Sequence, residues 1–403
     1  MKLLLLIFFI ASTLFGQLLI PNRNSRSWAV DLDGSTEYMS KSSPNKLNLN
    51  GDERITTATN RTFETTVGDW TAVASASIDT SSAQKQSGVK SLKVVTNGVW
   101  SGAELPYSAF TTLQQDASGI YEKYTFEFWA YNESADTVQV VIGDKSIKRN
   151  IPATTWTKFV YNFQITTNTI NQNIQIFFKT TGKTNYVDNV SLTKAWDVLI
   201  NAFLKTTSLA NMVFVGRATI FGAGTQQYAA HVNSSGYLTL SISDEASIVS
   251  LTPASSPYNN GLYFLSSGII EKTNNLSLLY NGTPLVDGSR SIIGVGKVKP
   301  NLALTIGGRS NQTQLWNGQL GEVQITRFTD ISQSNVNTTT LTQAYKLGIP
   351  KSWIGGGAEI VAHYKFRGAS DADMLQDLSG NGNDLTGTNV STTDQVKASY
   401  PSR

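Results

Sequence analysis

Residues 124–131 read YTFEFWAY, a run in which apolar and mixed positions alternate one for one. A side-chain period of two sets Tyr124, Phe126, Phe128 and Ala130 on one face of an extended chain, and Thr125, Glu127, Trp129 and Tyr131 on the other. The first set is wholly apolar or aromatic, so the segment is a strand with one face in a core. Related patterns return at 157–163 (TKFVYNF), 173–178 (NIQIFF), 237–243 (YLTLSIS), 276–280 (LSLLY) and 322–327 (EVQITR), separated by clusters of Gly, Asn and Ser. Helical spacing is confined to Thr340–Leu347, with Gly348 to cap it and Pro350 to stop it. The expectation is an all-β chain built of sandwiches or jelly rolls.

Composition agrees. The 403 residues allow roughly two or three domains. Charged residues make up 15%, against a typical ~25%, while 40% are hydrophobic and 10% aromatic, too apolar for a disordered chain. Thirty-two basic against twenty-nine acidic residues leave a net charge of +3 without a basic block, which argues against a nucleic-acid partner. The absence of cysteine removes disulfides, thiolate metal sites and thiol catalysis, and two histidines cannot build a His-rich metal centre. Met1–Gly16 (MKLLLLIFFIASTLFG) has one basic residue, a short apolar run and small residues after it, the pattern of a secretory signal. No other run is long enough to span a bilayer. A secreted, extracellular or virion-associated location is expected.

Phe63–Leu192 carries a full series of strands of its own. The strand and loop at Trp28–Asp52 break off before it, and another apolar strand resumes at Ala195. A domain inserted into a loop of another accounts for both edges, since domain termini tend to lie close together. The expected divisions are an outer sandwich at 26–54 and 195–348, an inserted jelly roll at 55–194, and an irregular C-terminal segment at 349–403. That last segment either completes the sandwich or opens a further module.

The outer block resembles the laminin-G-like, concanavalin A-type lectin/glucanase sandwich. The resemblance rests on AVDLDGSTEY (29–38), LNLNG (47–51), the strand at 196–204, LSLLYNG (276–282), LTIGG (304–308) and WNGQLGEVQI (316–325). It departs from that family at 258–267, where the usual Trp-His-His segment has no histidine. The inserted block resembles carbohydrate-binding modules of the family-4/9/22, galactose-binding-domain-like type. Its matching pieces are Phe63-Glu64, Asp69-Trp70, QSGVKSLKV (86–94), the strand at 124–130, TWTKF (155–159) and YVDNVSL (186–192).

Glycoside hydrolysis needs two carboxyl groups about 5–10 Å apart. The nearest approach to a glucanase acid run is Glu122–Glu127, which has Tyr124 where the central acid belongs, so no catalytic residues are expected. The resemblance to carbohydrate-binding modules implies a structural calcium held by Glu64 and Asp188 with backbone carbonyls, an oxygen set that suits a hard cation. The run DLSGNGND at 377–384 reads as a Gly-Asn turn, because Thr388 stands where a calcium loop needs its glutamate.

Aromatic rings match the C–H face of a pyranose, and amides or carboxylates beside them read its hydroxyls. On that chemistry Trp100, Tyr107, Glu127, Trp129, Tyr131 and Trp316 are the candidate glycan contacts, with Trp156 assigned to the core. The expected function is noncatalytic recognition of a polysaccharide or glycan at an external surface. The alternative is a structural component of a virion or surface fibre, with both modules serving assembly or adhesion among surface proteins.

Overall fold

The computed structural model describes residues 28–166, 172–208, 211–218, 226–244, 246–253, 261–299, 302–309, 311 and 313–398. The expected signal at 1–16 lies outside them, as does the start of the 258–267 segment. The chain is all-β, and every strand pairing within its four sheets is antiparallel.

Two of the sheets enclose one core. The eight-stranded sheet runs Thr283–Ser291, Asn275–Tyr280, Phe264–Ile270, Asp197–Lys205, Asn317–Phe328, Trp28–Asp33 and Gln395–Lys397, with Glu359–Tyr364 also paired to Asn317–Phe328. The seven-stranded sheet runs Ile248–Leu251, Leu238–Ser243, Gln226–Val232, Met212–Ala218, Leu304–Ile306, Tyr38–Lys41 and Thr386–Thr388. Their facing side chains, among them Val30, Met39, Ile200, Phe214, Leu240 and Ile325, form a single apolar cluster. Residues after 349 supply strands to both sheets, so the C-terminal segment is part of this sandwich. The turn at 377–384 secures it. Asp377 accepts the backbone N–H groups of His363, Ser379 and Asn383, and the amide of Asn383 donates to the carbonyls of Asn45 and Val361.

The other two sheets enclose a second core. The six-stranded sheet runs Thr157–Gln164, Lys123–Asn132, Thr184–Ala195, Ser91–Thr96 and Ala76–Ser81, with Asn50–Glu53 on the free end of Thr184–Ala195. The five-stranded sheet runs Lys145–Ile151, Asp136–Ile142, Ile174–Phe178, Ser101–Leu105 and Thr71–Val73. Tyr124, Phe126, Phe128 and Ala130 are all buried in the core between them, as the period of two requires. Asn50–Glu53 pairs with this sheet through Thr193 and Ala195, so the segment 50–53 goes with the inserted strands and not with the outer ones. The Trp196 N–H then donates to the Leu49 carbonyl at 2.9 Å, so the chain enters and leaves the insertion side by side.

The contact between the two sandwiches is polar. Lys123 of the insertion places its ammonium 2.6 Å from Asp197 and 3.0 Å from Asp330. Asn162 donates from its amide to the carbonyls of Ile293 and Val295, both at 2.9 Å. Lys272 holds the same loop from the other side through the carbonyls of Val295 and Gly296.

Candidate glycan-binding face and candidate metal site

The strands of the five-stranded sheet bury Ala103, Leu105, Val138, Val140, Ile142, Ile174, Ile176 and Phe178. Their alternate neighbours Glu104, Gln139, Val141, Gln175 and Phe177 therefore share the opposite, outward face. Register sets Phe177 opposite Gln139, and Gln175 opposite both Glu104 and Val141. The Gln175 amide donates to Glu104 at 2.6 Å, which fixes both side chains. Trp100 precedes the strand Ser101–Leu105 in a left-handed turn (φ 54°). Its half-buried ring meets the ammonium of Lys148 at 4.5 Å from the centroid. Lys148 stands opposite Gln139 on the far strand of the sheet, so the pair closes over the strands carrying Phe177 and Gln139. Tyr107 is 42% exposed at the end of the same sheet, and its backbone N–H donates to the Asn173 side chain at 2.9 Å.

The remaining aromatic candidates lie elsewhere. Trp129 and Tyr131 are half-buried on the outer face of the six-stranded sheet, the back of the insertion. Tyr131 contacts Trp156 at 5.7 Å and Tyr186 at 5.9 Å between ring centroids. Trp156 is half-exposed in that cluster, not buried in the core as its sequence position suggested. Trp316 is fully buried, packed edge-on against Phe214 in the outer core. It presents no ring to a ligand, because the strand after it turns its side chain between the two sheets.

Glu127 faces the junction. It is 9% exposed, pairs with Lys158 at 3.1 Å and accepts the Lys297 N–H at 2.7 Å. It lines a cavity of about 300 Å³ between the sandwiches, together with Glu53, Arg61 and Lys297. Glu122 is 5% exposed and engaged by Lys194 at 2.6 Å, Arg54 at 3.1 Å and the Tyr124 hydroxyl at 2.5 Å. Both carboxylates are thus committed to ion pairs.

Glu64 and Asp188, 124 positions apart, converge on the two ends of one loop. Asp188 accepts the N–H groups of Gln86 (3.0 Å) and Ser87 (3.2 Å), and Glu64 those of Val89 (2.8 Å) and Lys90 (3.3 Å). Between them Gly88 has φ 60°, and a Cβ there would fall 1.6 Å from Glu64 Oε1. Only glycine lets the loop wrap the carboxylate this closely. Burial raises the Asp188 carboxyl above its ordinary value, backbone donors oppose the rise, and the charge of Glu64 adds to it. Two partly desolvated carboxylates around one loop make a pair that a cation would relieve. No group of three or more His, Cys, Asp or Glu side chains able to hold a metal occurs among the described residues, so such a cation would also need backbone carbonyls.

Sequence reading missed Glu104, Gln139, Gln175, Phe177 and Lys148. The signal was present in VQVVI at 138–142 and NIQIFF at 173–178, where amides alternate with buried aliphatics.

No family model matches the chain, and no curated protein matches it. Among solved structures, it is similar to the C-terminal family 22 carbohydrate-binding module of Clostridium thermocellum Xyn10B. Identity there is 19%, over 38% of this chain and 96% of that one, with a TM-score of 0.30. It is similar to a family 16 carbohydrate-binding module at 15% identity, over 33% and 96% of the two chains, with a TM-score of 0.26. It is also similar to tailspike protein 4 of bacteriophage CBA120 at 15% identity, over 35% and 21%, with a TM-score of 0.26. Each likeness covers about a third of this chain.

Proposed function

We propose that this protein binds a polysaccharide chain, without cleaving it, along the outward face of the five-stranded sheet. The observation that carries the reading is the grouping of two rings, Trp100 and Phe177, with the hydrogen-bonding side chains Gln139, Gln175 and Glu104 on one outward face. Rings stack on sugar C–H faces, while the amides and the carboxylate read hydroxyls, and mutual bonding holds Gln175 and Glu104 ready for that work. Five strands at ~4.8 Å spacing give a face ~19 Å across, which suits an extended chain of sugars better than a single one. Glu122 and Glu127 supply no acid pair for hydrolysis, since each is buried and ion-paired.

A ligand of this kind places the protein outside a cell or on a particle surface, in keeping with the leader-like sequence at 1–16. The test is affinity electrophoresis of the full chain in gels carrying xylan, mixed-linkage β-glucan, galactomannan or agarose. Retardation by at least one polysaccharide, abolished by Trp100→Ala and by Gln139→Ala/Gln175→Ala, supports the reading. Binding that survives those changes but is lost with Trp129→Ala/Tyr131→Ala would move the site to the six-stranded face. No retardation in any gel would leave a purely structural surface role.

We also propose that calcium bridges Glu64 and Asp188 with help from loop carbonyls. The cation would have a structural role, tying the first segment of the insertion to its last strand.

A further inference from the structure

A cavity of about 650 Å³ lies beside the strand Glu359–Tyr364 of the outer sandwich, far in sequence from the proposed polysaccharide face. Its volume is within the range of small-ligand pockets and more than a bare ion requires. Its floor includes His363, which is 6% exposed and whose Nε2 is 2.6 Å from Oε1 of Glu322, itself 2% exposed. The other Glu322 oxygen, Oε2, is buried without a hydrogen-bond partner among the described residues. A buried carboxylate with a spare oxygen beneath a cavity is costly to a fold.

Lys351 and Lys365 stand on the walls of the same cavity, and neither forms an ion pair among the described residues. The one acid on its wall, Glu359, is already taken by Arg327 at 2.6 Å and Lys46 at 2.5 Å. The cavity therefore offers two unspent cations and an oriented imidazole, with no unspent carboxylate on its wall. Ser352 adds a hydroxyl, and Leu378, 49% exposed, adds an apolar rim, while the Ser379 hydroxyl is already held by Asp377 at 2.7 Å. Cations meet an anionic group, hydroxyls meet hydroxyls, and an apolar rim meets a ring edge.

We propose that this cavity is a second binding site, for a sugar residue bearing a carboxylate or sulfate group. Lys351 and Lys365 hold the charge, and His363, oriented by Glu322, donates or accepts from below. The site does not depend on the reading of the five-stranded face.

The test is calorimetric titration of the full chain with a polygalacturonate hexamer, a chondroitin sulfate hexasaccharide, cellohexaose and sodium sulfate, at 50 and 200 mM salt. At least one acidic oligosaccharide should bind, more weakly at the higher salt, while cellohexaose should not compete for the site. Lys351→Gln/Lys365→Gln should weaken that binding at least tenfold with the melting temperature unchanged, and Trp100→Ala should leave it intact. His363→Gln should weaken it too; if that variant does not fold, the lysine pair, at the surface, still decides. Absence of acidic binding, or binding indifferent to the lysine pair, would overturn the site. Sodium sulfate binding as tightly as the oligosaccharides would overturn the sugar assignment and leave a free-oxyanion site.

Discussion

The ammonium of Lys123 stands 2.6 Å from the carboxylate of Asp197, joining a strand of the inserted sandwich to the first returning strand of the outer one. Lys123 is 1% exposed and Asp197 is fully buried. Asp197 also accepts the backbone N–H groups of Lys272 and Ile331, both at 2.9 Å, so its charge organises three segments. Removing one partner of such a pair strands the other, at a cost of about 3–5 kcal/mol. Lys123→Met should destabilise the protein by that order in urea denaturation. A loss below 1 kcal/mol would show that the pair is not what couples the sandwiches.

Acid should loosen the same junction. Burial opposes ionisation of Asp330, but hydrogen bonds from Gln164 and Gln333 and the charge of Lys123 outweigh it and hold the carboxyl well below its ordinary 3.8. The unfolded chain therefore takes up the proton first. Asp330 contributes its full stabilisation above about pH 4 and loses it progressively as pH falls further. The melting temperature of the wild type should drop below pH 4 more steeply than that of Asp330→Asn. Parallel curves would exclude Asp330 as a source of the acid sensitivity.

On the polysaccharide face, Trp100→Ala should lower affinity for the best-binding polymer by about tenfold or more, roughly 1.4 kcal/mol, as expected for a central aromatic contact. Tyr107→Ala, at the margin of the sheet, should cost less. Equal effects from both would mean that the ligand crosses the sheet's end and not its centre.

Calcium between Glu64 and Asp188 should raise thermal stability by an amount set by its excess over Kd, about 3 kcal/mol at a hundredfold excess. EGTA should lower the melting temperature, and Asp188→Ala should lower it while abolishing the response to EGTA. A melting curve unchanged by millimolar calcium and by EGTA would leave the two residues as anchors of the Gln86–Lys90 loop alone.

Trp316→Ala should cost about 3–5 kcal/mol through the cavity it leaves beside Phe214. It should not alter polysaccharide affinity measured under folded conditions. A specific loss of binding at unchanged stability would contradict its place in the core.

The sequence by itself determined what short-range periodicity can carry. Alternation at 124–131 assigned Tyr124, Phe126, Phe128 and Ala130 to a core, and the longest helix, Thr338–Leu347, follows from its spacing and its Gly-Pro stop. Side chains on one strand share a face by geometry alone, so those readings needed no partner. Which face lies toward solvent, and beside what, depends on strands far away in the chain, and tertiary structure alone decided it. Glu127, Trp129 and Tyr131 share one strand face, yet the outer sandwich covers Glu127 and leaves the two rings half-open. Trp100 and Tyr107 fall on the opposite sheet, with the amides of Gln139 and Gln175, 39 and 75 positions after Trp100, on the same face. Trp316 reads as a candidate ligand ring, but the packing of two sheets closed over it. Glu64 and Asp188 come to opposite ends of the Gln86–Lys90 loop only through the fold of the insertion, a placement that local spacing cannot encode.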